Sequence, residues 1–352
     1  MSLPLIAITM GDPAGIGPEI TVKVLSRIDI YKTCRPLVIG AVNVLADAMR
    51  FTHRALQINV IDSPQEGQYS FGTIDVIDMN NIDIEKLEYG KVSALCGKAA
   101  GEYIAKAIEL AMAGLVDAVA TNPINKESFV LGGWGKMYPG HTEMFADLTK
   151  TERYSMMLQH ENFRVVHVST HVSLVEACRR VKKDRVLDTI RIANAACKAI
   201  GIDQPKVGVA GLNPHAGDGE LFGREDIDEI QPAVLAAREE GIDASGPIPA
   251  DTIFSRAKGG WYDIVVAMYH DQGHIPLKTT GFVWDESSKS WESISGVNVT
   301  LGLPIIRTSV DHGTAFGKAG KGTARVDSLY EAIYMATRFA VTRAKTQGLS
   351  AK

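Results

Sequence analysis

The sequence predicts an α/β protein with a largely parallel sheet and two lobes. Three observations carry this prediction. Short apolar runs alternate with stretches of helical periodicity, the pattern of strand–helix–strand units. The chain has 352 residues, long for a single hydrophobic core, so two domains or one α/β unit with two lobes is expected. Hydrophobic residues make up 45% and charged residues 22%, a balance that fits a globular chain and excludes a disordered one.

The elements follow in order. Leu5 to Met10 reads as a buried first strand, then a Gly/Pro turn and a helix from about Pro18 to Ser26. Pro18 suits the first helical turn, where its missing N–H has no partner to lose. Leu37 to Gly40 is a second strand. Over 93–115, Leu95, Ala99, Tyr103, Ala107, Ala111 and Leu115 recur at four-residue intervals, which predicts a helix. Val116 to Thr121 is a strand running into Asn122-Pro123. A glycine-rich stretch through Pro139-Gly140-His141-Thr142 precedes a helix starting near Thr142. Further strands are Arg164–Thr170, Lys206–Gly211 and Asp263–Met268. Helices near 185–200 and 226–240 stop at Gly201 and Gly241, as left-handed C-caps predict. A last helix runs from about Ser328 to Lys345. Residues 283–296 are polar and Ser-rich and read as an exposed loop or hairpin.

The formal net charge is −4, and there is no long basic run, so no nucleic-acid partner is expected. The cluster Arg179, Arg180, Lys182, Lys183, Arg185 reads as a solvated turn before a helix. Cys34, Cys96, Cys178 and Cys197 show no C-x-x-C pairing and are expected as reduced thiols in a cytoplasmic protein. The apolar N-terminus lacks the basic flank and cleavage site of a signal peptide. No apolar run reaches the roughly 18 residues a membrane span needs, so no membrane partner is expected.

Three histidines share one kind of place. His171, His215 and His270 each follow a predicted strand, at its carboxyl end, where open parallel sheets bind ligands. Three imidazoles there suit one divalent cation, zinc first. Three unrelated loop histidines are the competing reading. Asp271 or His274 is placed to orient the His270 ring. His167, inside a strand, reads as a core residue. His141 and Thr142 open a helix after glycines, so its free N–H groups suit phosphate or carboxylate, with simple capping by Thr142 as the alternative. Gly11-Asp12-Pro13-Ala14-Gly15-Ile16-Gly17-Pro18-Glu19 is neither G-x-G-x-x-G nor a P-loop; it reads as a tight strand-to-helix turn. Lys126, Lys278 and Arg307 are the basic candidates for a phosphorylated, carboxylated substrate.

Five ordered motifs carry a resemblance: the 11–19 turn, Pro139-Gly140-His141-Thr142-Glu143, Asn213-Pro214-His215-Ala216-Gly217, Tyr269-His270-Asp271-Gln272-Gly273 and Arg307-Thr308-Ser309-Val310-Asp311-His312-Gly313-Thr314. Together they resemble the 4-hydroxythreonine-4-phosphate dehydrogenase family over nearly the whole chain. The resemblance implies a three-layer α/β/α fold like that of isocitrate and isopropylmalate dehydrogenases. It implies a discontinuous NAD-side domain, 1–125 with 303–352, and a metal, substrate and dimerisation domain, 126–302. It implies a homodimer with the active site in a groove near the interface. It makes His171, His215 and His270 ligands of a divalent metal, with zinc first and magnesium, manganese or cobalt as alternatives. His141, Thr142, Lys278, Asn298 and Arg307 become substrate contacts, and Asp251 an acidic group near the metal. The segment His312, Gly313, Thr314 through Gly320 and Gly322 is similar to the NAD loop of isopropylmalate dehydrogenases, with NADP as the alternative cofactor.

The implied reaction is a metal-dependent, NAD-linked oxidation and decarboxylation of a phosphorylated 3-hydroxy acid. The run Gln272-Gly273-His274-Ile275-Pro276-Leu277-Lys278 resembles the D-threonate and D-erythronate 4-phosphate branch more than the vitamin B6 branch. Two other classes compete: a metal-dependent hydrolase or aldolase on sugar phosphates, and a non-catalytic phosphometabolite sensor. The first predicts turnover without NAD, and the second binding without turnover.

Overall fold

The structure, a computed structural model, describes residues 2–286, 290–294, 296–346 and 348. The chain divides into two compact units, Met1–Glu152 with Leu303–Lys352, and Arg153–Gly302. Residues 126–152, expected with the second domain, belong to the first. The reason is local packing: helix Lys126–Leu131 lies on helix Ala94–Met112, so close at Gly97 that a Cβ would come within 1.7 Å of the Ser128 carbonyl.

The first unit holds six described strands. In space they run Gln57–Val60, Thr73–Asp78, Arg35–Gly40, Leu5–Thr9, Ala118–Thr121, Arg307–Val310, with every neighbouring pair parallel. Every residue of Leu5–Thr9, Ala118–Thr121 and Arg307–Val310 is buried. A strand buried on both faces needs cover on both, which helices supply here. Helix Ala94–Met112 packs on Leu5–Thr9, Arg35–Gly40 and Ala118–Thr121; helix Asp327–Thr346 packs on Arg307–Val310, Ala118–Thr121 and Leu5–Thr9. Ser93 starts the first of these, its Oγ accepting from the Cys96 N–H at 3.4 Å. Ile6, Ile8, Leu37 and Ile39 are wholly buried, each contributing on the order of 2 kcal/mol of transfer free energy.

The second unit also holds six described strands in its main sheet: Val297–Leu301, Ser155–His160, Phe163–His167, Ile264–Ala267, Lys206–Ala210, Asp243–Ile248. The first two pairings are antiparallel and the other three parallel. The sheet is therefore mixed in this unit, with its antiparallel pairings confined to Ser155–His160 and its two neighbours, within the largely parallel arrangement the sequence predicts. Strands Phe282–Asp285 and Ser290–Ile294 pair antiparallel, the hairpin alternative expected for 283–296; residues 287–289 and 295 of that stretch lie outside the described residues. Among the described residues no helix is long and apolar enough to cross a membrane. All four cysteines are free thiols, and burial pushes Cys34 and Cys96 up to about 11 and Cys197 to about 12.

Candidate active site

In the first unit the chain leaves Leu5–Thr9 for Arg35–Gly40 on one side and later returns as Ala118–Thr121 on the other. The strand order thus reverses between Leu5–Thr9 and Ala118–Thr121, and such a switch point opens a crevice at the carboxyl ends of the strands. The Gly11–Glu19 turn and Asn122-Pro123 meet there, with the Asp12 N–H donating to the Pro123 carbonyl at 3.0 Å. Asp12 is wholly buried; its Oδ1 accepts from the Ala14 N–H at 2.9 Å, and burial pushes its carboxyl up to about 6.

Arg307 opens its strand fully inside the protein, at 3% exposure. Its Nη2 donates to Thr121 Oγ1 at 2.9 Å, and its guanidinium stands 5.4 Å from the Phe145 ring centre. Burial drives Arg307 down to about 10, and the Glu143 carboxylate acts in the opposite direction. His141 begins the helix His141–Leu148 after Gly140, and no side chain caps that end. Thr142 lies inside the first turn, so the capping role considered for it is not what the structure shows. His141 Nε2 is buried without a hydrogen-bond partner. Burial, then the Arg307 charge, holds His141 well below the usual histidine range. A buried cation, an unmatched imidazole nitrogen and uncapped N–H groups form a cradle for an anion.

The segment after strand Arg307–Val310 has an anchored and an open part. The Thr314 carbonyl accepts from the Ile16 N–H at 3.1 Å. Gly320 and Gly322 have φ of +72° and +70°, and a Cβ there would meet the Tyr89 ring at 3.0 Å and the Phe51 carbonyl at 2.8 Å. Their glycine requirement is explained by the protein's own packing. At Gly313 and Gly317 a Cβ would meet nothing within 4 Å, so these two leave room for a ligand. His312 Nδ1 donates to the Gly313 carbonyl at 3.0 Å, and burial lowers its pKa. That open, glycine-lined face fits a dinucleotide approaching close to the backbone.

In the second unit, Phe163–His167, Ile264–Ala267 and Lys206–Ala210 are adjacent and parallel. His171, His270 and His215 follow them at the same edge. The rings of His171 and His270 lie 5.6 Å apart between centres. They line a cleft of about 450 Å³ with Thr170, Ser173, Tyr269 and Asp271. His215 is exposed on a loop with left-handed backbone (φ 54°). Among the described residues no three His, Cys, Asp or Glu groups gather as a metal site. Single-chain geometry thus joins two of the three expected ligands. His270 Nδ1 donates to Asp271 Oδ1 at 2.6 Å, which leaves Nε2 as the ring nitrogen that could take a ligand. An imidazole held by a carboxylate is a ligand type that a divalent cation accepts, so the chemistry of His270 fits that role.

His270 also begins a helix, His270–Gly281, where the sequence predicts only a strand end. His274, one turn on, stacks on His270 at 3.6 Å and donates from Nδ1 to the His270 carbonyl at 2.9 Å. Burial, then the His270 charge, pushes His274 down to about 4. His167 is core, as expected; its Nδ1 faces the Met156 carbonyl at 3.3 Å and burial pushes it down to about 3. Lys278 is half-buried on the same helix as His274. Asn298 donates from Nδ2 to Met156 Sδ at 2.8 Å, and its Oδ1 is buried without a partner. Asp251 is exposed in the first turn of helix Ala250–Lys258. Three of the five residues in the basic cluster engage partners within the unit: Arg180 pairs with Glu176, Lys182 with Glu229, and Arg185 donates to the Val168 carbonyl. Sequence reasoning missed Thr121 and Phe145, whose only signal was a place at a strand end and on a helix facing Arg307.

The fold and these sites define an α/β protein with an anion cradle inside its first unit and imidazoles beyond the carboxyl ends of strands in its second, where enzymes of this architecture bind ligands. A family model described as pyridoxal phosphate biosynthetic protein PdxA matches residues 32–336. The D-threonate 4-phosphate dehydrogenase of Cupriavidus necator is 48% identical over 343 residues, 97% of this chain and 99% of that protein. The crystal structure of a 4-hydroxythreonine-4-phosphate dehydrogenase from Burkholderia phymatum matches at TM-score 0.82 and 46% identity, covering 96% of this chain and 99% of that one. That of the Klebsiella pneumoniae 4-hydroxythreonine-4-phosphate dehydrogenase matches at TM-score 0.85 and 42% identity, covering 96% and 98%. The chain belongs to the PdxA family.

Proposed function

We propose that this protein is a metal-dependent, NAD-linked dehydrogenase that oxidises and decarboxylates D-threonate 4-phosphate. The observation that carries the reading is buried Arg307 beside His141 at an uncapped helix start, a cradle suited to a phosphate. The choice of acid rests on the Gln272–Lys278 run and on the likeness to a D-threonate 4-phosphate dehydrogenase.

His171, His215 and His270 would hold a divalent cation, zinc first, and the face at Gly313 and Gly317 would receive NAD; the cation would supply Lewis acidity at the hydroxyl that is oxidised and the NAD a hydride acceptor. Asp271 fixes the tautomer of His270. Arg307 and the first-turn N–H groups hold the phosphate. Lys278, or His141 through a water, takes the hydroxyl proton. The C3 hydroxyl loses a proton and a hydride and becomes a ketone. The resulting β-keto acid loses its carboxylate as CO₂, and the electron pair left on C2 takes a proton, giving dihydroxyacetone phosphate. Asn298 and Asp251 are assigned to substrate and metal surroundings.

The proposal includes a homodimer. His171 is followed by exposed Leu174 and Val175, and His215 by exposed Leu221 and Phe222. Apolar residues beside both ligand loops suit burial against a second copy that completes the metal site. The test is NADH formation by the metal-loaded protein. D-threonate 4-phosphate gives NADH and D-threonate far less; no NADH from the phosphorylated acid would overturn the proposal.

A further inference from the structure

Glu19 closes the Gly11–Glu19 turn and is wholly buried. Its Oε1 accepts from Lys23 Nζ at 3.0 Å and from the Ala324 N–H at 2.6 Å, and its Oε2 from the Gly322 N–H at 3.2 Å. Lys23 Nζ donates further to the Gly322 carbonyl at 2.8 Å and the Ala324 carbonyl at 2.7 Å. The ammonium's three protons thus have three acceptors. Between them the two side chains bind both the N–H and the C=O of two residues about 300 positions away. At the other end of the same loop, the turn's Ile16 N–H holds the Thr314 carbonyl at 3.1 Å. Gly15 allows that approach, since a Cβ there would stand 3.0 Å from Thr314 Cβ. The open positions, Gly313 and Gly317, lie on the loop these contacts pin.

A buried ion pair is costly to desolvate and is retained where backbone hydrogen bonds saturate it. Here all of them run to one loop. Other requirements of that loop, the Tyr89 ring under Gly320 and the Phe51 carbonyl under Gly322, fix its course but carry no charge.

We infer that Glu19 and Lys23 are positioning residues for the nucleotide. They hold the 312–324 loop in the shape that receives it, so the ordering cost is met on folding rather than on binding. The glycine-rich strand-to-helix turn therefore acts through a second loop. The inference rests on the assignment of NAD to that loop.

The experiment is NADH binding to the full-length protein, read by fluorescence titration without substrate, alongside KM for NAD and for D-threonate 4-phosphate. Lys23→Met leaves Glu19 its two N–H donors and removes the hold on both carbonyls. Its NADH Kd should rise about tenfold, equivalent to about 1.4 kcal/mol, while KM for the phosphorylated acid stays within about twofold. Lys23→Arg, which keeps charge and donors, should recover most of the loss, which a general folding defect would not allow. Glu19→Gln should be worse than Lys23→Met, because the amide NH2 meets a backbone N–H it cannot accept from and the ammonium loses its counter-charge. If wild type binds NADH and Lys23→Met binds it equally well, the inference fails and the nucleotide assignment stands. If wild type itself does not bind NADH, the nucleotide assignment fails and takes the inference with it.

Discussion

Arg307→Lys isolates the phosphate cradle. The substitution keeps a positive charge in a buried place but removes the planar fork and the bond from Nη2 to Thr121 Oγ1. It also shortens the group that lies over the Phe145 ring. A buried hydrogen bond to a charged partner contributes about 1.5–3 kcal/mol, so losing one to the phosphate lowers kcat/KM by roughly 10- to 100-fold. The assay is steady-state NADH formation with D-threonate 4-phosphate, repeated with D-threonate at high concentration. The wild-type-to-variant ratio should be large for the phosphorylated acid and close to one for the acid without phosphate, as a double-mutant comparison of residue and phosphate requires. Equal losses on both acids would mean that Arg307 serves the fold or the carboxylate. An unchanged kcat/KM on the phosphorylated acid would refute the cradle.

Asp271→Asn should weaken metal affinity by about 10- to 100-fold, measured by competition with a chelating dye, because Asp271 orients His270. Chelation should abolish turnover yet leave NADH binding intact, since the imidazoles belong to one unit and the 312–324 loop to the other; loss of NADH binding on chelation would argue against that division. Asp12 sets a pH dependence. Burial raises its pKa from 3.8 to about 6, so the folded state holds this proton more tightly than the unfolded chain. Stability is therefore lost as pH rises through that interval and is not regained above it. Asp12→Asn should melt higher than wild type near pH 7, by at most about 3 kcal/mol, with the difference closing below about pH 4; an equal gain at both pH values would contradict the sign.

Much of the first unit was legible because its elements are locally consistent. Leu5–Thr9 and Ala118–Thr121 are short apolar runs, and Ala94–Met112 repeats at helical spacing behind a serine cap. The second unit was harder. Ser155–His160 (SMMLQH) has neither β-branched residues nor alternation, and it becomes a strand because Phe163–His167 and Val297–Leu301 pair with it on both sides. Helix His270–Gly281 contains Gly273 and Pro276, residues that argue against a helix interior, and it exists because packing on Phe163–His167 and Ser155–His160 overrides propensity.

The site was legible in its types and less so in its partners. Histidines after strands at one sheet edge gave His171, His215 and His270, but convergence is a three-dimensional property. The chain alone brings His171 and His270 together and leaves His215 exposed. Gly320 and Gly322 looked like ligand-facing glycines and have packing reasons of their own, while Gly313 and Gly317 hold the open face. The Glu19–Lys23 clamp was invisible in sequence, because an i,i+4 Glu–Lys pair is ordinarily a solvated helix face and its partners lie at the far end of the chain.

The central claim, oxidation coupled to decarboxylation at a phosphorylated acid, is tested most directly by product stoichiometry. The metal-loaded protein is given limiting D-threonate 4-phosphate with excess NAD, and NADH, CO₂ and dihydroxyacetone phosphate are measured at completion. All three should form in equimolar amounts. Glycolaldehyde phosphate and glycolate formed without NADH, as an aldolase would give, or NADH formed without CO₂, would contradict it.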